Sequence, residues 1–145
     1  MRKKHILPII LITANILFIW GNSMLSQEQS RSLSTFFHNI LGRIFDSAGG
    51  GDVVSHHMVR KLAHVFEYLV LSVQLTLFFG KPRLKNCAMI IAAGVLVAII
   101  DETIQIFSGR GPAVKDVLID TVGCLIGFLI IMLIKQLRKR KRAVE

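Results

Sequence analysis

The amino-acid sequence predicts an all-α integral membrane protein: a four-helix bundle of spanning segments with one further helix in the extracytoplasmic interface. Three observations predict it. Hydrophobic residues make up 52% of the 145-residue chain, and the mean hydropathy of +0.58 exceeds what a soluble domain carries. The apolar residues gather into four runs, each near the ~20 residues at ~1.5 Å rise that cross a ~30 Å hydrocarbon core. Most Lys and Arg residues fall before, between or after those runs with a one-sided bias. Backbone amides in lipid need internal hydrogen bonds, so the runs must be helices.

The first span covers about 6–25 (ILPIILITANILFIWGNSML). The preceding MRKKH and the small residues Gly21 to Ser23 also fit a secretory leader. A retained helix is the better reading, because no A-x-A pattern follows and the later spans already require a membrane. Next, Phe36, Phe37, Ile40, Leu41, Ile44 and Phe45 recur at helical spacing, opposite Arg31, Ser34, His38, Asn39, Arg43 and Asp46. That pattern predicts an amphipathic helix over about 31–46, lying at the membrane surface. It either presents the polar end of the bundle to a lipid headgroup or simply packs over it.

Gly49, Gly50 and Gly51 break that helix, and Asp52 is expected to start another that runs into the second span, 62–79. His56 and His57 are expected to face solvent. The third span, 87–107, should end where Gly109 adopts a left-handed conformation. Gly111 then allows a tight reversal, and Pro112 suits the first turn of the fourth span, 117–134. A basic tail, 135–145, closes a single domain covering 1–145.

Arg2, Lys3 and Lys4, then Lys81, Arg83 and Lys85, then the tail from Lys135 to Arg142 share one side. By the positive-inside rule both termini are cytoplasmic, in a multi-pass protein of a cell membrane. The formal net charge of +9 is therefore a topological signal rather than a nucleic-acid patch, and no nucleic-acid motif accompanies it. Cys87 and Cys124 fall in different spans at different depths, which argues against a disulfide.

This topology brings the ionisable residues of the spans to one level. The second span descends with Lys61, His64, Glu67 and Tyr68 in its outer turns; the third ascends to Asp101, Glu102 and Gln105; the fourth begins with Asp116 and Asp120. A charge at the centre of a spanning helix costs ~2.5–3.5 kcal/mol, less near its ends, so these carboxylates must face one another, water or cations. Gly123 and Gly127 form a G-x-x-x-G step just beneath them, a surface for close backbone approach. Arg110, ahead of a helix N-terminus, can hold a phosphate or carboxylate, or pair with Asp101, Glu102 or Asp116. The charges can also be no more than mutual glue for the bundle.

The segments KLAHVFEYLVLS and DETIQIFSGRGPAVKDVLIDTVGCLIG resemble the VanZ-like family of bacterial membrane proteins. The stretch NSMLSQEQSRSLS, with Ser23, Ser30 and Ser34, is similar to that family's serine-containing extracytoplasmic segment. The family's namesake is associated with resistance to the glycopeptide teicoplanin, so the resemblance implies a role in the bacterial cell envelope and supplies no reaction. Many relatives have Asn where this chain has Asp120, which adds a charge here.

Lys61, His64, Glu67, Tyr68, Asp101, Glu102, Gln105, Arg110, Asp116 and Asp120 are the candidate ligand-binding residues. An anionic lipid or a lipid-bearing glycopeptide is the expected ligand. His64, Glu67, Asp101 and Glu102 are the catalytic candidates if the protein is an enzyme. With Asp120 they can ligate a divalent cation such as Mg²⁺ or Mn²⁺, which would serve a hydrolase or transferase acting on a lipid-linked phosphate. No H-E-x-x-H, nucleophile elbow or Walker pattern is present to favour that reading. A third reading makes the chain a structural partner of another envelope protein, with the G-x-x-x-G step as its contact. A channel is disfavoured because so small a bundle encloses little beyond side chains.

Overall fold

The computed structural model describes residues 3–47, 55–79, 84–109 and 113–142. These form five helices: α1 (Lys3–Ser23), α2 (Gln27–Ser47), α3 (His56–Phe78), α4 (Leu84–Phe107) and α5 (Val114–Lys141). The described residues contain no strand. Four of the helices, α1, α3, α4 and α5, are long and apolar enough to cross a membrane. The amphipathic α2 is the fifth, as its apolar spacing requires.

Capping chemistry sets the helix starts. Ser26 and Gln29 form a reciprocal box: the Gln29 N–H donates to Ser26 Oγ at 3.3 Å, and the Ser26 N–H donates to Gln29 Oε1 at 3.0 Å. This starts α2 at Gln27, four residues earlier than its apolar pattern suggests. Ser55 is the N-cap of α3, accepting from the Met58 N–H at 3.2 Å. The expected start at Asp52 and the turn residues Gly111 and Pro112 lie outside the described residues, as do the side chains of His56 and His57. At the end of α4, Gly109 has φ +73°, the left-handed stop anticipated from sequence. The 28 residues of α5 extend about 42 Å at ~1.5 Å per residue, so its basic last turns reach beyond an apolar core of ~30 Å.

Ile19, Tyr68, Leu71, Val97, Ala98 and Cys124 form the core, with Ile12, Ile16, Trp20, Leu75, Ile91 and Val117 packed against it. Around this centre the spans carry an apolar exterior that includes Leu7, Phe18, Phe66, Leu96, Leu118 and Leu133, a surface suited to acyl chains rather than water. Cys87 and Cys124 are both free thiols.

The largest helix interface joins α3 and α5, and the glycine step makes it. A Cβ at Gly123 would lie 2.5 Å from the Val65 carbonyl oxygen, and one at Gly127 would collide with that of Leu69. Ser72 Oγ donates to the Cys124 carbonyl at 2.6 Å across the same contact. The G-x-x-x-G surface is thus occupied by α3 of the same chain, and the partner-contact reading loses the surface it relied on. Deeper in the bundle, Asn15 Nδ2 donates to Gln74 Oε1 at 3.2 Å, joining α1 to α3.

Gly127→Val should destabilise the bundle by about 1–3 kcal/mol through overpacking, read as a lower midpoint of thermal unfolding in detergent. Gly21→Ala, with nothing within 4 Å of the added Cβ, should leave that midpoint unchanged or slightly raised.

Candidate functional site

The polar residues gather at the end of the bundle opposite the two termini. Four helices deliver them. The last turn of α1 brings Asn22 and Ser23. The first half of α3 brings Lys61, His64, Glu67 and Tyr68, spaced three or four apart and so on neighbouring faces of adjacent turns. The closing turns of α4 bring Asp101, Glu102, Gln105 and Ser108; the opening turns of α5 bring Asp116 and Asp120.

At its centre His64 Nδ1 stands 4.0 Å from Asp101 Oδ2 and 3.8 Å from Asp120 Oδ1. Asp101 and Asp120 are fully buried, and His64 is partly exposed. Gln105 Nε2 donates to Asp101 Oδ2 at 3.0 Å and lies 3.4 Å from Ser23 Oγ, so it fixes the Asp101 carboxylate and ties α4 to α1. Ser108 Oγ reinforces that tie by donating to the Ser23 carbonyl at 2.8 Å. Both carboxylate oxygens of Asp120 and the Tyr68 hydroxyl are buried without a hydrogen-bond partner among the described residues.

The other two carboxylates are engaged elsewhere. Glu67 Oε1 accepts from Asn22 Nδ2 at 2.7 Å. Glu102 Oε2 accepts from the Ala113 N–H at 2.8 Å. Ala113 is the N-cap residue of α5 and has no side chain able to cap, so a carboxylate from the neighbouring helix satisfies an amide at that terminus and complements its dipole. Of the five residues that sequence offered as metal ligands, His64, Asp101 and Asp120 meet, each offering one ligand atom within 4.8 Å of the others. Glu67 and Glu102 do not join that set.

Arg60, Lys61, His64, Asp116, Ile119 and Asp120 line a small pocket with a cavity volume of about 10 Å³, room for roughly one water or one ion. Its lining is basic on the α3 side, with Arg60 and Lys61, and acidic on the α5 side, with Asp116 and Asp120. Arg110 lies outside the described residues. Sequence reasoning did not single out Arg60 or Asn22 as site residues, and it named Ser23 only in the possible cleavage site and in the serine-containing segment of the family resemblance. Arg60 was hidden as the neighbour of Lys61, and Asn22 and Ser23 were read with a possible leader cleavage site. Their signal was small polar residues at the same end of a span as the charges.

A polytopic helical membrane protein with a buried polar cluster at one end of its bundle is the class that this fold and site define. Within that class the chain belongs to the VanZ-like family: the family model described as VanZ/LLP1 matches residues 6–135. No curated protein and no solved structure matches the chain.

Glu102→Ala strands the Ala113 N–H and should cost about 1–3 kcal/mol of stability, whereas Glu102→Gln keeps an acceptor and should cost less. Thermal unfolding of the two variants in one detergent checks the order.

Proposed function

We propose that the protein resides in the bacterial cell membrane with both termini in the cytoplasm. Its polar chamber then faces outward and binds the headgroup of an anionic lipid or lipid-bearing ligand, contributing to resistance against teicoplanin-type glycopeptides. Orientation rests on the basic residues flanking the spans at the end that carries the termini. The carrying observation is the pocket itself: Arg60 and Lys61 line it together with His64, Asp116 and Asp120.

A phosphate or carboxylate at this pocket meets the cations Arg60 and Lys61, each worth about 1 kcal/mol near a membrane surface, beside the carboxylate of Asp116. The small cavity admits only the terminal polar atoms of such a group, so the rest of the ligand stays at the rim. The amphipathic α2 packs against α3 and exposes Phe36 (61%) and Ile40, apolar surface for the acyl portion of an amphiphile. Membership of the VanZ-like family supports the envelope setting.

One observation favours a second reading, a metal-assisted hydrolase or transferase acting on a lipid-linked phosphate. His64, Asp101 and Asp120 converge close to where that phosphate would rest. Turnover of lipid-linked cell-wall precursors in the presence of Mg²⁺ or Mn²⁺ would establish that reading, and none would dismiss it.

For the headgroup reading, purified protein in zwitterionic nanodiscs should bind teicoplanin or an anionic lipid more tightly than a glycopeptide without an acyl chain. Lys61→Ala should weaken that binding about fivefold, the equivalent of ~1 kcal/mol, and Arg110→Ala at least as much. Unchanged affinity in both folded variants rules the reading out.

A further inference from the structure

We propose that His64, Asp101 and Asp120 form a binding site for a small divalent first-row cation. The site is made by α3, α4 and α5 together. It goes beyond the headgroup reading and stands without it, since the cation is expected to bind with no lipid ligand present.

Distance is the first reason. The imidazole nitrogen sits 3.8 and 4.0 Å from the two carboxylate oxygens, too far for hydrogen bonds. An ion bound at about 2.0–2.2 Å holds neighbouring or opposed ligands roughly 3–4.3 Å apart. These separations therefore match groups arranged around a shared ion better than groups bonded to each other.

Asp120 supplies the second, independent reason. It is fully buried, it belongs to a helix locked against α3 by Gly123 and Gly127, and neither of its oxygens has a hydrogen-bond partner among the described residues. A buried carboxylate in that position normally finds partners or a metal. One turn along α3 from His64, the Tyr68 hydroxyl is likewise buried without a hydrogen-bond partner among the described residues.

The remaining features suit an ion. Gln105 holds Asp101 Oδ2 at 3.0 Å, orienting a ligand from behind as outer-shell partners do. The pocket of about 10 Å³, lined in part by His64 and Asp120, has room for about one water beside such an ion. Two carboxylates balance a divalent charge, and one imidazole shifts preference toward Mn²⁺ or Zn²⁺. Ca²⁺, which takes six to eight oxygens at ~2.3–2.6 Å, is poorly served by three ligands in so small a space.

The test uses full-length protein in neutral detergent, stripped with chelator and titrated with Mn²⁺ alone. One Mn²⁺ should bind per chain, and pulsed electron paramagnetic resonance should show nitrogen coupling from a single imidazole. Zn²⁺ should displace it, and equimolar Ca²⁺ should not. Asp120→Asn should lower affinity tenfold or more, His64→Gln should abolish the nitrogen coupling, and Glu28→Gln on the exposed face of α2 should change neither. Absence of stoichiometric binding by the wild-type protein, or bound Mn²⁺ without imidazole coupling, overturns the proposal whether or not a variant folds. The headgroup reading would survive either result.

Discussion

Carboxylates in a hydrocarbon slab must find company, and the polar end of this bundle is organised by that need. Glu67, Asp101, Glu102 and Asp120 come from three helices. Each would cost several times the thermal energy if turned toward lipid. The helices instead turn them inward, where an α1 amide meets Glu67, an α4 amide meets Asp101 and the start of α5 meets Glu102. Satisfying the charges therefore fixes the relative positions of four helix ends. Electrostatic demand and tertiary structure are the same fact here.

The other half of the bundle works by different rules. From Leu69 to Phe79, Asn86 to Ile100 and Thr121 to Ile134 the spans carry no ionisable side chain except the thiols Cys87 and Cys124. Close packing holds this region. Glycines at 123 and 127 bring α5 against the α3 backbone, and Gly94 makes room for Cys124 between α4 and α5. This tight seam begins one turn along α5 from Asp120, so that pocket residue rides on a contact with little room to adjust. The proposed binding of a small ion or the tip of a headgroup would benefit from such rigidity.

Much of this was legible from the letters, for physical reasons. Hydropathy over twenty residues reports on lipid directly, and consecutive spans run in opposite directions, so the four apolar helices and the gathering of His64, Glu67, Asp101, Glu102 and Asp120 at one end of the bundle could be read in advance. Gly109 could also be read, because few other residues accept its φ. Helix starts were less legible: Ser26 with Gln29, and Ser55, cap by side-chain hydrogen bonds that hydropathy ignores. The division of labour among the carboxylates was not legible at all. Whether Asn22 faces Glu67 depends on the rotation of α1 about its axis, and so on how Ile19 and Trp20 pack into the core.

A crosslink from outside the cell tests the central claim most directly. In a chain with Cys87→Ser and Cys124→Ala, cysteines replacing Lys61 and Asp116 would stand on opposite walls of the pocket. A short membrane-impermeant bifunctional thiol reagent applied to intact cells should yield one bridging adduct per chain, resolved by intact-protein mass spectrometry. Unreacted thiols that label only after permeabilisation, or two separate adducts with no bridge, would contradict a shared chamber open to the exterior.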